Sequence, residues 1–295
     1  MKPVIDTFLV HRLIASQFPK LKNLPIEPIA ISGWDNRIFH LGKEMLVRLP
    51  SAVEYEQQVE KEYKWLPHLA LALPKQIPTP LAIGKPEHGY PWKWSIYRWI
   101  EGQTVASAPV NDLVTFASDL ANFLNTLHQI DTSGGPLPGL HSFYRGGSLS
   151  VYDADTRNAI KALKNKIDAI AVTDIWKRAL STSWTNPPVW VHGDISAGNL
   201  LVQADKLCAV IDFGQLSIGD PACDLSINWT LFNESKRDCF KKILSLDKET
   251  WARARGWTLW KALIVAAGFT DPNNFESKQC WRIIKEVIQD HLKSD

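Results

Sequence analysis

Hydrophobic and polar residues alternate in short runs along residues 27–50, a pattern that predicts β-strands rather than helices. Turn-forming residues interrupt the apolar runs twice, first at Gly33–Asn36 and again at Gly42–Lys43. Glycine and asparagine at such positions favour tight connections between antiparallel strands. We therefore predict an antiparallel meander, with its three strands over residues 28–32, 37–41 and 44–49.

Helical spacing is found on both sides of this meander. Residues 1–20 contain a short apolar stretch interrupted by charge, which predicts an amphipathic helix. Within residues 51–70, Val59, Tyr63 and Leu66 recur at helical spacing among charged residues, and this predicts a second helix.

Proline residues at 74, 78 and 80 end the helical pattern and favour an extended approach to a further strand within residues 92–102. From residue 110 onward the pattern is helical again. Apolar residues three and four positions apart predict a long helix that faces a core, with Asn111 or Asp112 as its N-cap.

The rest of the chain adds mainly helices. A loop rich in glycine, proline and serine covers residues 132–148, a charged helix is expected near 153–171, and residues 216–295 are mostly helical. Strands first and helices afterwards predict an α+β fold with two lobes. We expect an N-terminal lobe over residues 1–101 and a C-terminal lobe over 102–295.

Composition narrows the class of protein. The chain has 295 residues, of which 45% are hydrophobic and 22% charged, as is typical of soluble globular proteins. Its 33 basic and 31 acidic residues nearly cancel, so charge gives no reason to expect nucleic acid or a membrane as a partner. The four cysteines lack metal-ligand spacing, and the amphipathic start is not a signal peptide, so we expect a cytoplasmic protein with reduced thiols. No pattern indicates an oligomeric state.

The segment VWVHGDISAGNLLV, residues 189–202, places polar side chains between two apolar runs. The first run predicts a strand that ends at a loop beginning with His192. Residues 199–202 start a second strand, residues 204–206 turn it, and residues 207–214 return antiparallel to it.

Asp194, Asn199 and Asp212 are therefore expected close together at the mouth of this small hairpin. Their oxygen atoms suit a hard cation that keeps several waters, and Mg²⁺ is the ion that we predict. The order H-x-D-x-x-x-x-N followed by D-F-G is also the order found in kinases. There the first aspartate orients the acceptor hydroxyl, while the asparagine and the second aspartate hold metal on the nucleotide phosphates.

Through HGDISAGN and VIDFGQLSIGDPACDL, the chain resembles the aminoglycoside phosphotransferase family of small-molecule kinases over about residues 25–230. The resemblance implies a protein-kinase-like fold, with a small antiparallel-sheet N-lobe and a mainly helical C-lobe. It also implies Asp194 as the catalytic residue, Asn199 and Asp212 as Mg²⁺ ligands, and ATP or GTP as the phosphoryl donor.

Neighbouring polar residues are interpreted as structural. His192 is expected to orient the loop by a hydrogen bond rather than to accept a proton. Asp220 and Asp224 are expected to cap and pin the helix that follows them.

The residues expected to bind the nucleotide depart from the family pattern. That pattern has a lysine on the third strand, paired with a glutamate on the next helix. Here Arg48 stands at the position of the lysine, either as a phosphate clamp or as a surface strand residue, and Glu62 is the matching helix residue. The phosphate loop has one central glycine, Gly33. By resemblance, the backbone groups of Arg98 and Ile100 form the hinge that meets the purine edge.

The acceptor, a small molecule with a hydroxyl group, is expected on residues 216–295. This stretch carries 11 acidic and 12 basic side chains together with five of the chain's 13 tryptophans. Balanced charge and many rings favour a larger, partly apolar compound such as a macrolide or a metabolite over a polycationic aminoglycoside.

One alternative function is that of a nucleotide-binding protein of this fold with lost or weak turnover. A protein kinase is disfavoured because no A-P-E segment follows the D-F-G.

Overall fold

The computed structural model describes residues 3–29, 35–108, 110–270 and 274–294, with side chains omitted for 274–277 and 294. Two hydrophobic cores are found in it, one around a sheet near the N-terminus and a larger one among the later helices. No helix in these ranges is both long enough and apolar enough to cross a membrane.

The N-terminal sheet has five strands in the spatial order β1-β2-β3-β5-β4, and all of its neighbours pair antiparallel. This confirms the predicted antiparallel meander and adds two strands to it. The five strands are β1 (Ile26–Pro28), β2 (Asn36–Leu41), β3 (Met45–Pro50), β4 (Pro80–Gly84) and β5 (Trp94–Arg98).

The predicted strand bounds need correction. The first strand begins earlier than residue 28, because Ile26 already pairs with Leu41 at the end of β2. Residues 30–32 of the predicted strand lie outside the described ranges. The run 92–102 is strand only over Trp94–Arg98, the part that pairs with β3 and β4.

Two helices complete the N-lobe, and both were predicted. Helix α1 (Thr7–Gln17) starts where the Asp6 carboxylate accepts the backbone N–H of Leu9, and its apolar face packs on the sheet. Helix α2 (Glu56–Leu69) buries Leu66 and leaves Tyr63 43% exposed, so only part of the predicted apolar stripe faces a core.

The C-lobe strands are short and lie in two small sheets. The predicted hairpin is present, with a turn at Ala204–Asp205 in which both residues have positive φ. Its return strand ends at Val210 rather than at residue 214, because Asp212 has a left-handed backbone with φ of 66°. These strands are β6 (Gln103–Thr104), β7 (Val189–Val191), β8 (Leu200–Gln203), β9 (Lys206–Val210) and β10 (Ser217–Gly219).

Strand β6 pairs with β8, so the chain has joined the second lobe by Gln103. The first sheet ends at Arg98. A boundary between residues 101 and 102 is compatible with both observations and stays our proposal.

Helices dominate the C-lobe and surround the buried helix α8. Asp112 is the cap of α3, since its carboxylate accepts the backbone N–H groups of Val114 and Thr115. The helices are α3 (Leu113–Gln129), α4 (Asp153–Leu163), α5 (Ala169–Leu180), α6 (Ile227–Thr230), α7 (Glu234–Leu244), α8 (Lys248–Ala266) and α9 (Asn274–Ser294).

The single helix predicted near 153–171 is wrong, because two helices occupy that region and continue beyond it. The backbone N–H groups of Lys166 and Ile167 both turn back to the carbonyl of Leu163, which ends α4. Asp168 then starts α5 by accepting the N–H of Ala171.

Candidate active site

The loop after β7 requires a glycine at its centre. Gly193 has a φ of 88°, in the left-handed region that favours glycine. A Cβ at this position would lie 2.6 Å from the carbonyl oxygen of Gln215, closer than real contacts allow. The His-Gly-Asp order therefore has a steric cause, and the tight turn brings Asp194 directly after the buried strand.

His192 is fully buried, and both of its ring nitrogens are hydrogen-bonded to the backbone. The N–H of Asp194 donates to Nδ1 at 3.1 Å, so the ring proton is on Nε2, which lies 3.0 Å from the carbonyl oxygen of Ile211. Burial lowers the pKa of His192, which keeps the ring neutral. The predicted orienting role of His192 is confirmed, since it joins the Asp194 loop to the residue before Asp212.

Asp224 performs a different task from the one predicted. Its carboxylate accepts the backbone N–H groups of His192 and Gly193, each at 2.7 Å, so it pins the loop before Asp194 rather than the following helix. Burial raises the pKa of Asp224, although the nearby His192 ring and these two hydrogen bonds oppose the shift. Asp220 does cap the next turn, by accepting the N–H of Ala222, and it also binds Arg253.

Asp194 and Asn199 are in direct contact. The side-chain nitrogen of Asn199 donates to both the backbone oxygen and the carboxylate of Asp194, each at 2.9 Å. Burial and the charge of Asp212 raise the pKa of Asp194, while Arg145, Lys261 and Asn199 oppose that change. The hydrogen bond from Asn199 holds the carboxylate of Asp194 in one orientation.

Asp212 joins this pair through the hairpin. The N–H of Ile211 donates to the carbonyl of Asn199 at 2.9 Å, which fixes Asp212 beside the Asn199 loop. Burial acts to raise the pKa of Asp212, but the charge of Arg48 and the hydrogen bond from it outweigh burial and lower that pKa. The sequence-based expectation that Asp194, Asn199 and Asp212 lie close together agrees with these contacts.

The donor set of this loop fits a hard cation. Asn199 uses its amide nitrogen to bind Asp194, which leaves the amide oxygen as its ligand atom. Asp212 contributes a carboxylate kept charged by its neighbours. An amide oxygen and a carboxylate from adjacent loops are ligands that Mg²⁺ accepts together with waters and phosphate oxygens.

Arg48 reaches this loop from the other lobe. It lies on β3 between Val47 and Leu49, which are fully buried in the core of the N-lobe, so alternation points Arg48 to the opposite face of the sheet. Its Nη1 donates to both carboxylate oxygens of Glu62, at 2.9 and 3.0 Å, and its Nη2 donates to Asp212. With 8% exposure, Arg48 is not a surface strand residue.

Glu62 is the buried partner on α2, 1% exposed, and it also accepts the hydroxyl of Tyr97. Its neighbour Glu60 instead forms a contact with Lys93 at the surface. Of these two glutamates, therefore, Glu62 is the one that pairs with Arg48.

A third carboxylate, Asp35, was not anticipated. It lies 3.2 Å from Nη2 of Arg48, in the turn that resembles a phosphate loop. Burial and the charge of Asp212 raise the pKa of Asp35 to about 6. The only signal in the sequence was an aspartate beside an asparagine in a turn, which is ordinary for turns.

The predicted hinge is bonded in part within the N-lobe. The backbone N–H of Arg98 donates to the carbonyl of Thr79 at 2.9 Å, so a purine contact of Arg98 would use its other backbone groups and stays a prediction. Trp99 donates likewise to Glu44 at 2.7 Å. Ile100 follows immediately, and its backbone contact stays a prediction. Gly33 lies outside the described residues.

Arg145 is a further residue beside the catalytic loop that the sequence did not indicate. Its Nε donates to the carbonyl of Gly193 at 2.9 Å, one residue before Asp194. Its guanidinium lies over the rings of Trp257 and Trp260, at 4.8 and 5.1 Å from their centroids, and Tyr152 stacks on Trp260 at 3.8 Å. Trp257 and Trp260 therefore form an aromatic wall on α8 beside the catalytic loop. Their contact with Arg145 distinguishes these two tryptophans from tryptophans that only fill the core.

The model of the phosphotransferase enzyme family (APH) matches residues 25–257, and the chain belongs to this family. No curated protein matches the sequence.

Solved structures show the same fold at low sequence identity. The GDP complex of aminoglycoside 2'-phosphotransferase-IIIa is 18% identical with a TM-score of 0.70, covering 97% of this chain and 100% of that one. The streptomycin–ATP ternary complex of APH(2'')-IIa is 20% identical with a TM-score of 0.60, covering 97% of both chains. Macrolide 2'-phosphotransferase type I is 19% identical with a TM-score of 0.62, covering 94% and 97%. The predicted protein-kinase-like fold is thereby confirmed.

Proposed function

We propose that this protein is a Mg²⁺-dependent kinase that transfers the γ-phosphate of ATP or GTP to a hydroxyl group of a small molecule. The contact of Asp212 with Arg48 across the two lobes, beside the Asn199–Asp194 hydrogen bond, carries this proposal. A phosphoryl transfer needs three kinds of group around the transferred phosphate: a carboxylate that orients the acceptor, ligands for the metal, and a cation that binds phosphate oxygens.

Each residue has a role in the proposed reaction. Asp194 accepts a hydrogen bond from the acceptor hydroxyl and orients its oxygen toward the phosphorus. Asn199 and Asp212 would hold Mg²⁺, which neutralises charge on the phosphates when bound. Arg48, held by Glu62 through Nη1, would bind phosphate oxygens through Nη2 in place of its bonds to Asp35 and Asp212, at the position where the family pattern has a lysine.

The remaining nucleotide contacts rest on the family resemblance. Backbone groups of Arg98 and Ile100 would meet the purine edge, and the loop with Gly33 would cover the phosphates. The named complexes of similar fold contain GDP or ATP, which supports a purine nucleotide as the donor for this chain.

Support for a partly apolar acceptor comes from a cavity of about 420 Å³ between α2 and the segment before α4. Exposed apolar side chains, among them Val53, Leu140 and Val151, line it together with Phe143 and Tyr152. None of the described residues that line the cavity belongs to residues 216–295, where the acceptor was expected. The cavity is connected to that part of the chain through Tyr152, which stacks on Trp260 beside the catalytic loop. We therefore propose a hydroxyl compound with a sizeable apolar portion as the acceptor. Aminoglycosides and macrolides are named for proteins of this fold, and they are the first two classes to compare.

A panel of aminoglycosides, macrolides and hydroxyl-bearing metabolites tests the proposal. Release of ADP or GDP would be measured with each compound, with and without Mg²⁺. We expect release that depends on one acceptor class and on Mg²⁺, and that is lost in Asp194→Asn. Tight nucleotide binding without release for any acceptor would instead favour the alternative, a nucleotide-binding protein with lost turnover. The replacement of lysine by Arg48 is the feature that motivates this alternative.

A further inference from the structure

Lys61 is a buried lysine for which the proposed reaction has no assigned role. It precedes Glu62 on α2, is 8% exposed, and points toward the C-lobe. Its Nζ lies 2.8 Å from the carbonyl oxygen of Gly214, 3.1 Å from that of His141 and 2.9 Å from Nδ1 of the same histidine. A lysine is rarely buried so completely, and these three partners of Lys61 are all neutral.

The hydrogen-bond donors of Lys61 match its acceptors in number when its side chain is protonated. Nε2 of His141 lies 2.9 Å from the carbonyl oxygen of Leu137, so it carries the ring proton and leaves Nδ1 as an acceptor. The Lys61 ammonium group has three N–H donors, and it has three acceptors. A neutral amine would offer only two donors and would leave one acceptor without its bond.

The partners of Lys61 connect parts of the molecule that are distant in sequence. Gly214 is the last residue of the Asp212–Gly214 segment, and His141 lies on the C-lobe segment that also carries Arg145. Helix α2 packs directly on this glycine, since a Cβ at Gly214 would lie 2.7 Å from Oε1 of Gln58, one turn before Lys61. The contact between the helix and the Asp-Phe-Gly segment is therefore close and specific.

We propose that Lys61 is a positioning residue of the phosphotransfer site, which fastens the Asp212–Gly214 segment to helix α2 so that Asp212 and Glu62 reach Arg48 together. The effect on catalysis rests on the proposed function, whereas the contacts themselves do not. A lysine that merely filled space would be replaceable by an apolar side chain of similar length.

Replacement of Lys61 by methionine keeps the length of the side chain and removes the three donors. Lys64→Met is the matched control, because Lys64 is on the same helix but exposed, with its Nζ over the Trp65 ring. Binding of ADP and GDP to the full-length protein would be measured by calorimetry over a series of Mg²⁺ concentrations, and unfolding temperatures would be recorded in parallel.

We expect Lys61→Met to raise the Mg²⁺ concentration needed for half-maximal nucleotide binding by roughly 10- to 100-fold, as for residues that orient metal ligands. Binding without Mg²⁺ should change little, and Lys64→Met should match the wild type. A general loss of folding would lower the amount of competent protein but would leave the Mg²⁺ requirement of the remainder unchanged.

His141→Ala is the second variant, which removes one acceptor and keeps the bond to Gly214. It should shift the Mg²⁺ requirement in the same direction by a smaller factor, and it provides the test if Lys61→Met fails to fold. An unchanged Mg²⁺ requirement in a folded Lys61→Met, or in His141→Ala when the first variant does not fold, would overturn the positioning role. If wild-type protein bound neither nucleotide in a Mg²⁺-dependent way, the proposed function itself would be wrong.

Discussion

Loss of Arg48 should destabilise the fold strongly, because it would leave a buried carboxylate without its cation. Arg48 and Glu62 are 8% and 1% exposed, and their two hydrogen bonds measure 2.9 and 3.0 Å. Removing one partner of a buried ion pair typically costs about 3–5 kcal/mol. Only the Tyr97 hydroxyl would still donate to the Glu62 carboxylate among the contacts described. We therefore expect Arg48→Met to lower the free energy of unfolding by about 3–5 kcal/mol.

The partner variant should be milder. In Glu62→Gln the guanidinium of Arg48 keeps the carboxylates of Asp35 and Asp212, so about 1–3 kcal/mol is expected for the weakened hydrogen bonds. The double variant Arg48→Met with Glu62→Gln removes both charges. It should be more stable than the sum of the single losses predicts, by a coupling energy of about 0.5–3 kcal/mol.

Urea denaturation at pH 7, followed by fluorescence and circular dichroism, measures these free energies, with coincidence of the two probes as the check for two-state unfolding. Nucleotide kinetics on further variants at these two positions test the phosphate clamp. Arg48→Ala should raise the Michaelis constant for nucleotide, Arg48→Lys should recover part of the loss, and Glu62→Ala should add little to Arg48→Ala. Strictly additive free energies in the cycle, or unaltered nucleotide kinetics in Arg48→Ala, would refute the reasoning.

Three further substitutions test individual contacts. Asp212→Asn should weaken Mg²⁺-dependent nucleotide binding, since a charged oxygen ligand becomes a neutral amide; equal Mg²⁺ dependence by calorimetry would count against a metal role. Asp224→Asn leaves one acceptor oxygen for the two backbone N–H groups before Asp194, so one hydrogen bond to a charged group, typically about 1.5–3 kcal/mol, is lost; turnover should fall by roughly 10-fold or more while nucleotide affinity is kept. Asp35 has a pKa raised from 3.8 to about 6, so its ionisation lowers stability as pH rises through that window; Asp35→Asn should have the higher unfolding temperature above pH 6, and the difference should vanish below pH 4.

The parts of the site that the sequence predicted share a local cause. The hairpin of β8 and β9 sets Asn199 near Asp212 by chain geometry alone, and strand alternation directs Arg48 away from the core that holds Val47. Both inferences need only the period of a strand and the length of a turn. Such features are encoded within about 20 residues and can be read without knowing the rest of the fold.

The parts that were missed depend on contacts between distant segments. Asp224 bonds the N–H groups of residues 192 and 193, and Lys61 reaches a carbonyl 153 positions away. An aspartate before a helix predicts a cap on local grounds, and tertiary packing overrode that preference here. The break between α4 and α5 was missed for a different reason: Asp168 is a local cap signal, but the surrounding apolar spacing continues through it.

Turnover by Asp194→Asn is the most direct test of the central claim, that Asp194 orients an acceptor hydroxyl in a Mg²⁺-dependent phosphoryl transfer. The variant keeps the shape of the side chain and the bond from Asn199 to the backbone oxygen, so nucleotide binding should stay at the wild-type level. With the acceptor found by the panel and saturating Mg²⁺-nucleotide, phosphorylated product should form about 10²–10⁴-fold more slowly than with wild type. Product formation at the wild-type rate would contradict the assignment of Asp194 and the mechanism built on it.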